Sequence, residues 1–437
     1  MFKMNKKIKG SKNLNVPNKG EQSQTCLGSA ERKEQSLQGN VPNKRAQSQV
    51  YLNYAEHEEH LHKENVPNLR FPEFSGEWEK TSIGECFSKV ENGLTYDTNN
   101  TNGVPVTRIE TISDKSINYD RVGYANIDDK ISKYELQYGD VLFSHINSLK
   151  HIGKTAFYDA AQPLYHGMNL LLLRAKKSQD SKFLYYTLNT HRFLHRCQVL
   201  ANQAVNQASI NTKELKGIKI SVPQMQEQQK IAGLISLLDD RIATQIKIIE
   251  KLESLIKGLY ERLFNIDGAA YIQLGNVAKI QKGQQINGEK LSEIGSYYVM
   301  NGGVVPSGYL EDFNTPANTI SISEGGSCGY VQYNSVPFWS GGHCYTLIEP
   351  INSFNYKYLF HYLKFKEQSI MALRIGSCLP NIQKKDLERF PILNVSKEEQ
   401  DKMACIFDDI LDRIICERQI ALKYEEQKKY LLSNLFI

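Results

Sequence analysis

Residues 227–264 read EQQKIAGLISLLDDRIATQIKIIEKLESLIKGLYERLF. Apolar side chains recur along this stretch at alternating intervals of four and three residues, with a single polar member at Gln245. The series is Ile231, Ile235, Leu238, Ile242, Gln245, Ile249, Leu252, Ile256, Leu259 and Leu263. A repeat of 3.5 residues is the signature of a coiled-coil seam. The stretch therefore predicts a long helix that packs along its whole length against a partner helix.

A second copy of this stretch lies at residues 399–436, which read EQDKMACIFDDILDRIICERQIALKYEEQKKYLLSNLF. The two copies align without a gap at a constant offset of 172 positions, so that Phe264 matches Phe436. The second seam is weaker because Glu417 and Lys428 interrupt it, and Val395 stands where the first copy has Pro223. The duplication predicts the order domain, long helix, domain, long helix.

The rest of the chain supplies the two domains and a tail. We divide it into a tail (1–70), a first domain (71–222), a first spacer helix (223–264), a second domain (270–392) and a second spacer helix (393–437). Short apolar runs between Gly, Asn and Asp turns predict strands at Val141–Phe143, Leu170–Leu173, Thr319–Ile322 and Tyr345–Ile348, and helices at Ser181–Cys197 and Tyr356–Met371.

The fold class that follows is α+β. We expect two similar α/β domains separated by two long antiparallel coiled-coil helices with pseudo-two-fold symmetry. Some 40 helical residues make a rod of roughly 60 Å. Packed antiparallel, the two helices would place the two domains at opposite ends of this rod.

The tail carries an internal repeat. Asn15–Asn18, Asn40–Asn43 and Asn65–Asn68 each read NVPN and recur every 25 residues. The surrounding sequence is polar and cannot bury enough apolar area to offset its ordering entropy, which predicts a mostly disordered tail. A duplication at the coding level without a role in the protein is favoured over a binding role.

Charge and cysteine content exclude some classes and leave others open. The formal charge of +5 is too slight to indicate nucleic-acid binding by itself, and residues 1–71 hold much of the surplus, with 12 basic against 7 acidic side chains. The eight cysteines are scattered without a CxxC pair, so neither a zinc site nor a disulfide framework is expected. No apolar run could span a bilayer and the first ten residues lack a signal-peptide core, which predicts a cytoplasmic protein without a membrane partner.

Motifs for catalysis are missing from the sequence. It has no GxxxxGK[ST] loop and no GxGxxG opening a helix, and no Pro-Pro pair exists for the motif with which N6-adenine methyltransferases hold a flipped base. The glycine-rich run at 325–329 is read as a tight turn between strands in preference to a phosphate cradle. His343-Cys344, and His191 with His195, lack further metal ligands at suitable spacing. Two alternatives stay open: a stand-alone DNA nuclease, and a coiled-coil scaffold without sequence-specific DNA binding.

Several short motifs occur at matching places in the two domains. The first domain opens on LRFPEFSGEW (69–78) and contains GDVLFS (139–144) and IGK (152–154), and the second contains TISI (319–322) and GYV (329–331). The domains end on INTKEL (210–215) and PNIQKKDL (380–387) before the passage into the long helices. Over residues 66–437 these motifs and the duplication resemble the specificity subunit of Type I restriction-modification systems. The repeated tail is no standard part of that pattern.

The resemblance implies a non-catalytic subunit that binds double-stranded DNA. In that family each target recognition domain reads one half of a split target, and the spacer helices dock two methyltransferase subunits. Restriction subunits complete the complex. S-adenosylmethionine, ATP and Mg²⁺ would belong to these partners, so no cofactor, catalytic residue or metal ligand is expected in this chain.

Loop side chains that can reach base edges or phosphates are the candidate DNA contacts, because amides suit adenine and Arg or Lys suits guanine. They are Arg108, Ser144, His145, Asn147, Lys150, Lys154, Asn202, Gln203, Asn206 and Gln207 in the first domain, and Lys282, Asn301, Ser323, Glu324, Ser327, Arg374 and Ser377 in the second. Gln245 and Glu417 occupy the same heptad position in the two spacer helices. If the helices pack antiparallel, we expect these two side chains to be neighbours that set the register.

Overall fold

The computed structural model describes residues 65–97, 99–113, 116–127, 131–204, 207–376 and 380–437. Within them the chain forms two compact bodies. The first body contains residues 65–267 and 401–437, and the second contains residues 268–400. The first two copies of the NVPN repeat, and the disorder expected for the tail up to residue 64, lie outside the described residues.

The first domain is built around a four-stranded antiparallel sheet in the order β2-β10-β7-β9. Its strands are β1 (Glu79–Ser82), β2 (Phe87–Asn92), β3 (Val104–Val106), β4 (Ile112–Ser113), β5 (Ser116–Ile117), β6 (Gly123–Ala125), β7 (Val141–Phe143), β8 (Ile146–Asn147), β9 (Thr155–Phe157), β10 (Leu171–Ala175), β11 (Asn202–Ala204), β12 (Gln207–Ser209) and β13 (Lys219–Val222). Helices span Ile83–Cys86, Ser181–Leu188, His191–Leu200 and Thr212–Gly217. A second sheet has the order β11-β12-β8, and β1 pairs with β13.

The two apolar runs of the first domain form the central strands of its four-stranded sheet. Successive side chains of a strand point to opposite faces. Val141 and Phe143 enter a core that includes helix Ser181–Leu188, whereas Leu142 enters a second core on the other face. The same alternation holds for Leu171, Leu172 and Leu173. Burial on both faces explains why these strands are continuously apolar.

The second domain repeats this topology with the sheet order β15-β21-β18-β19. Its strands are β14 (Tyr271–Gln273), β15 (Lys279–Lys282), β16 (Tyr297–Met300), β17 (Gly308–Leu310), β18 (Thr319–Ser323), β19 (Val331–Asn334), β20 (Trp339–Ser340), β21 (Cys344–Ile348) and β22 (Pro391–Leu393). Helices span Leu274–Val277, Tyr356–Phe365, Glu367–Met371 and Lys384–Glu388. The strands β14 and β22 pair as β1 and β13 do. A further sheet has the order β17-β16-β20.

Two helices that the sequence predicts as continuous are each divided in two. Helix Ser181–Leu188 ends at Asn189, and Thr190 begins a new helix by accepting a hydrogen bond from the Phe193 N–H. A Thr side chain at this position competes with continuation of the helix because it satisfies a free backbone donor. In the second domain the break falls at Lys366.

The two long helices span Met225–Phe264 and Lys397–Asn434. From residue 401 onward the second helix belongs to the first body and packs antiparallel against the first helix: Arg418 pairs with Glu253, and Lys428 pairs with Asp239. Near the other end of the pair the Phe407 ring centroid lies 4.6 Å from that of Tyr260. Among the described helices none is long and apolar enough to cross a membrane.

The pairing expected between Gln245 and Glu417 is wrong. Both side chains are buried in the seam, 7% and 2% exposed. The residue after Glu417 reaches Glu253, whereas Gln245 lies two helical turns away from Glu253, so the two polar side chains are separated by roughly 10 Å along the rod. Gln245 Nε2 and Glu417 Oε1 have no hydrogen-bond partner among the described residues. Arg413 lies within ion-pair distance of the Glu417 carboxylate but without hydrogen-bond geometry at Oε1.

The last six residues assigned to the tail, 65–70, belong to the fold. The backbone N–H of Trp78 donates to the Asn65 carbonyl at 2.8 Å, and Ser221 Oγ donates to Asn65 Oδ1 at 2.8 Å. The Leu69 N–H donates to the Asn434 carbonyl at 2.9 Å. Composition alone placed this segment in the tail because its few polar residues find their partners only after residues far along the chain come together.

Candidate nucleic-acid interface

The segment that follows β7 lies where the core of the first domain meets its second sheet. The Ser144 N–H donates to the Lys154 carbonyl at 2.8 Å, and the Ser144 carbonyl accepts from Gly153 at 2.9 Å. The His145 carbonyl accepts from the Ile210 N–H at 2.9 Å. Ser144 and His145 are 1% and 7% exposed. Their burial favours a role in holding the loop over direct contact with a base.

The three-stranded sheet β11-β12-β8 brings several predicted amides together. Asn147 lies opposite Ala208 in β8 and β12, and Gln203 lies opposite Ala208 on the other side. Asn202, Gln203 and Gln207 are exposed, and Asn147 is half-buried with its Nδ2 donating to Ser144 Oγ at 3.1 Å. Asn206 lies outside the described residues. Four of the five predicted amides therefore share one small sheet.

The basic candidates of this domain are distributed differently. Lys150 and Lys154 are exposed in the turn between β8 and β9. Arg108 caps a short 3-10 helix, Ile109–Thr111, and lies 3.7 Å from the Glu110 carboxylate. Lys150 and Lys154 can contact phosphates beside the sheet β11-β12-β8, which we call the amide sheet. The described contacts do not join Arg108 to the amide sheet.

Two histidines lie near this loop, and burial lowers the pKa of each. Asn92 Nδ2 donates to the Met168 carbonyl at 2.9 Å and lies 3.3 Å from His145 Nε2, which can accept its second hydrogen. The buried Nδ1 of His145 has no hydrogen-bond partner among the described residues. Burial lowers the pKa of His145. His166 Nε2 lies 3.0 Å from the Leu170 carbonyl, and burial lowers its pKa to about 4.

The corresponding loop of the second domain follows β18. Ser323 and Glu324 are 3% and 8% exposed. The Glu324 carboxylate lies 2.7 Å from Lys282 Nζ and 3.0 Å from the Tyr345 hydroxyl, and the Glu324 carbonyl accepts from the Ile382 N–H at 3.0 Å. Lys282, the last residue of β15, is exposed. The ion pair thus has one buried and one exposed member.

The remaining candidates of the second domain surround a glycine-rich turn. Asn301 Oδ1 accepts from the His343 N–H at 3.1 Å, and the Ser327 N–H donates to the Gly302 carbonyl at 2.8 Å. The run 325–329 connects two antiparallel strands, β18 and β19, so it is the tight turn that the sequence predicts. Arg374 is exposed. Ser377 lies outside the described residues.

Each domain therefore presents exposed amides or cations around a buried polar residue. Such a surface can donate to and accept from base edges and phosphates. Asn92, His166 and Tyr345 are not among the DNA contacts predicted from the sequence, and His343 was considered there only as a metal ligand. Asn92 had a detectable signal, because Asn92-Gly93 and Lys282-Gly283 each end the first strand of a core sheet. Among the described residues no group of three or more His, Cys, Asp or Glu side chains is placed to hold a metal ion.

Comparisons with known proteins agree with this architecture. The family model described as "Type I restriction modification DNA specificity domain" matches residues 75–254 and 267–425. A putative type I restriction enzyme specificity subunit of Methanocaldococcus jannaschii is 32% identical over 397 residues, which are 83% of this chain and 93% of the relative. A putative type I specificity subunit of Mycoplasma pneumoniae is 37% identical over 121 residues, or 27% of this chain and 32% of the relative.

The fold is also that of a solved relative. The crystal structure of the Type I restriction-modification system S subunit from M. genitalium matches with a TM-score of 0.62 at 20% identity, covering 85% of this chain and 99% of that chain. Neither a stand-alone nuclease nor a scaffold without DNA specificity is supported by these relationships. The duplicated domains, the repeated long helices and the two-part family match together show that the chain belongs to the specificity subunits of Type I restriction-modification systems.

Proposed function

We propose that this chain is the non-catalytic DNA-reading subunit of its complex, and that each domain reads one half of a split target. One observation carries the proposal: the same four-stranded sheet, with a loop bearing a buried polar residue at its end, occurs twice, and a copy of the same long helix follows each. Two similar readers joined to two similar helices suit a target with two specified halves and an unspecified centre. The number of central base pairs would depend on the helix pair.

The long helices are the proposed docking surface for two methyltransferase subunits, with the restriction subunits completing the complex. Several large apolar side chains on them are exposed, including Leu237 at 64%, Leu255 at 50% and Leu422 at 51%. These side chains supply apolar area on both helices that a docked subunit would bury. S-adenosylmethionine, ATP and Mg²⁺ would be bound by those partners.

The proposal is tested by co-expressing the full chain with the methyltransferase encoded beside it and mapping N6-methyladenine by long-read sequencing. We expect one split motif with a constant number of unspecified bases between its halves. A continuous motif, or methylation without a motif, would contradict the proposal.

A matched variant tests the division of labour between the domains. Residues 72–222 are exchanged for the equivalent domain of a related specificity subunit. We expect one half of the motif to change while the other half stays the same, because the strands of each core sheet come from one domain alone. A change in both halves would be incompatible with independent reading.

A further inference from the structure

The register of the two core sheets makes four residues structurally equivalent in pairs. In the first domain Asn92 lies opposite Leu171, and Leu171 lies opposite Phe143, two residues before His145. In the second domain Lys282 lies opposite Tyr345, and Tyr345 lies opposite Ile322, two residues before Glu324. Asn92 therefore corresponds to Lys282, and His145 corresponds to Glu324.

Backbone hydrogen bonds support the same correspondence. The His145 carbonyl accepts from Ile210, and the Glu324 carbonyl accepts from Ile382. These two donors are themselves related by the offset of 172 positions that relates the long helices. The correspondence therefore holds from the end of the first core strand to the exit from each domain.

In each pair a buried member orients an exposed one. His145 is 7% exposed and accepts from the Asn92 amide, which is itself exposed. Glu324 is 8% exposed and pairs with Lys282 Nζ at 2.7 Å. The buried member cannot meet a base without displacement of its surroundings, whereas the exposed member can.

A glycine follows the exposed member in both domains and holds the strand end against a neighbouring segment. A Cβ on Gly93 would lie 2.1 Å from the His166 carbonyl oxygen, and a Cβ on Gly283 would lie 2.3 Å from the Gly341 carbonyl oxygen. No other residue fits at either position without moving the backbone. The Cα positions of Asn92 and Lys282 are consequently well defined, as base reading requires.

We propose that Asn92 and Lys282 are equivalent base-reading residues, one in each domain, and that His145 and Glu324 are the positioning residues that aim them. This inference rests on the proposed function of the two domains. The Asn92 side chain offers a hydrogen-bond acceptor and the Lys282 side chain offers donors. The two halves of the target would therefore differ at the corresponding base.

The base that each of these two side chains can read follows from the hydrogen bonds that it makes within the protein. Asn92 Nδ2 is committed to the Met168 carbonyl and to His145, and Oδ1 has no hydrogen-bond partner among the described residues, so Asn92 presents an acceptor. An acceptor selects a base with an exocyclic amino group, adenine or cytosine. Lys282 presents the remaining donors of its ammonium group, and a lysine in the major groove selects guanine O6 and N7.

The test uses the full chain with its methyltransferase and reads the methylated motif. Lys282→Met should reduce the preference for guanine at one position of one half by about tenfold or more, and Lys282→Arg should retain it. Lys279→Met is the matched control, because it removes the same charge from the same strand. Lys279 pairs with Glu349 at 3.3 Å and has no contact with Glu324 among the described residues. The control should leave both halves unchanged.

The first domain is tested by replacing its two residues, Asn92 and His145, with the residue types that the second domain has at the equivalent positions. Asn92→Lys combined with His145→Glu should move one position of the other half toward guanine, whereas Asn92→Lys alone should discriminate less than the double variant. The stronger discrimination of the double variant over Asn92→Lys alone would not occur if His145 had only a structural role. If the double variant does not methylate DNA at all, the comparison of Lys282→Met with Lys282→Arg decides.

Three results would overturn the inference: an unchanged motif with Lys282→Met, changes in both halves, or a uniform loss of methylation at every site with unchanged base preference. The last result would show that Lys282 does not read a base, and that it acts as a phosphate contact or as the counter-charge of the buried Glu324. Failure of the proposed function is recognised separately, because then the wild-type chain itself would give no split motif.

Discussion

Glu227 is a fully buried carboxylate at the start of the first long helix, and it depends on residues from the opening segment of the fold. Arg70 Nε and Nη2 donate to its two oxygens at 2.8 Å each, and Trp78 Nε1 lies 3.3 Å from Oε1. A bidentate pair of this kind joins the chain before the first domain to the helix after it. Without Arg70, the Glu227 carboxylate would be buried with no compensating charge from this pair.

We expect Arg70→Ala to lower the free energy of unfolding by about 3–5 kcal/mol, because Glu227 would be left buried and uncompensated. Denaturant unfolding of the full chain measures the change. Arg70→Met combined with Glu227→Met should recover most of the loss. Lys89→Ala, which removes one member of an exposed pair with Glu91 at 3.2 Å, is the control and should cost no more than about 1 kcal/mol. Equal effects of Arg70→Ala and Lys89→Ala would refute the assignment.

His166 predicts a dependence of stability on pH in the first domain. Burial lowers its pKa from 6.5 to about 4, so the unfolded chain binds the proton more tightly than the folded one. Stability from this group is therefore complete above pH 6.5 and is lost as the pH falls toward 4. Between pH 7 and pH 5 the loss should be about 2 kcal/mol.

The measurement compares wild type with His166→Gln, which keeps an N–H donor for the Leu170 carbonyl but cannot titrate. The difference in unfolding free energy between the two proteins should change with pH in that window. A difference that is constant from pH 7 to pH 5 would be inconsistent with a buried neutral His166.

At the scale of the elements, the seam of the long helices contains two buried polar side chains that do not meet. Gln245→Leu should raise the thermal stability, because it removes a buried polar atom that has no hydrogen-bond partner among the described residues. Glu417→Leu should also raise it, because the cost of burying the carboxylate exceeds what its ion pair with the exposed Arg413 contributes. Since the two lie roughly 10 Å apart along the rod, their effects should add within about 0.5 kcal/mol. Thermal unfolding of the two single variants and the double variant completes the cycle. A coupling above about 1 kcal/mol would indicate a direct contact.

At the scale of the whole molecule, the described residues begin at Asn65, the first residue of the third NVPN copy. Deletion of residues 1–60 removes the first two copies and leaves every described contact in place. We expect the methylated motif and the yield of folded protein to be unchanged, as measured by long-read sequencing and by purification. Deletion of residues 1–70 serves as the contrast, because it also removes Arg70 and the Leu69 contact with Asn434, and it should destabilise the protein.

Local patterns were sufficient for much of this architecture. The 3.5-residue repeat around Ile235 and Leu238, and the offset that matches Phe264 with Phe436, predicted the two long helices before any contact was known. The apolar runs at 141–143 and 170–173 predicted the central strands. These features can be predicted because periodicity and burial on two faces are recorded in neighbouring residues.

The candidate site could not be predicted in the same way, because it depends on segments that are distant in the chain. The amide sheet joins residues 146–147 to residues 202–209, and Asn92 reaches His145 across the core sheet. Burial of His145 and Glu324, and the register that separates Gln245 from Glu417, follow from side-chain packing between such segments. Neither composition nor spacing records which distant surfaces will meet, so these contacts were defined only when the whole chain was packed.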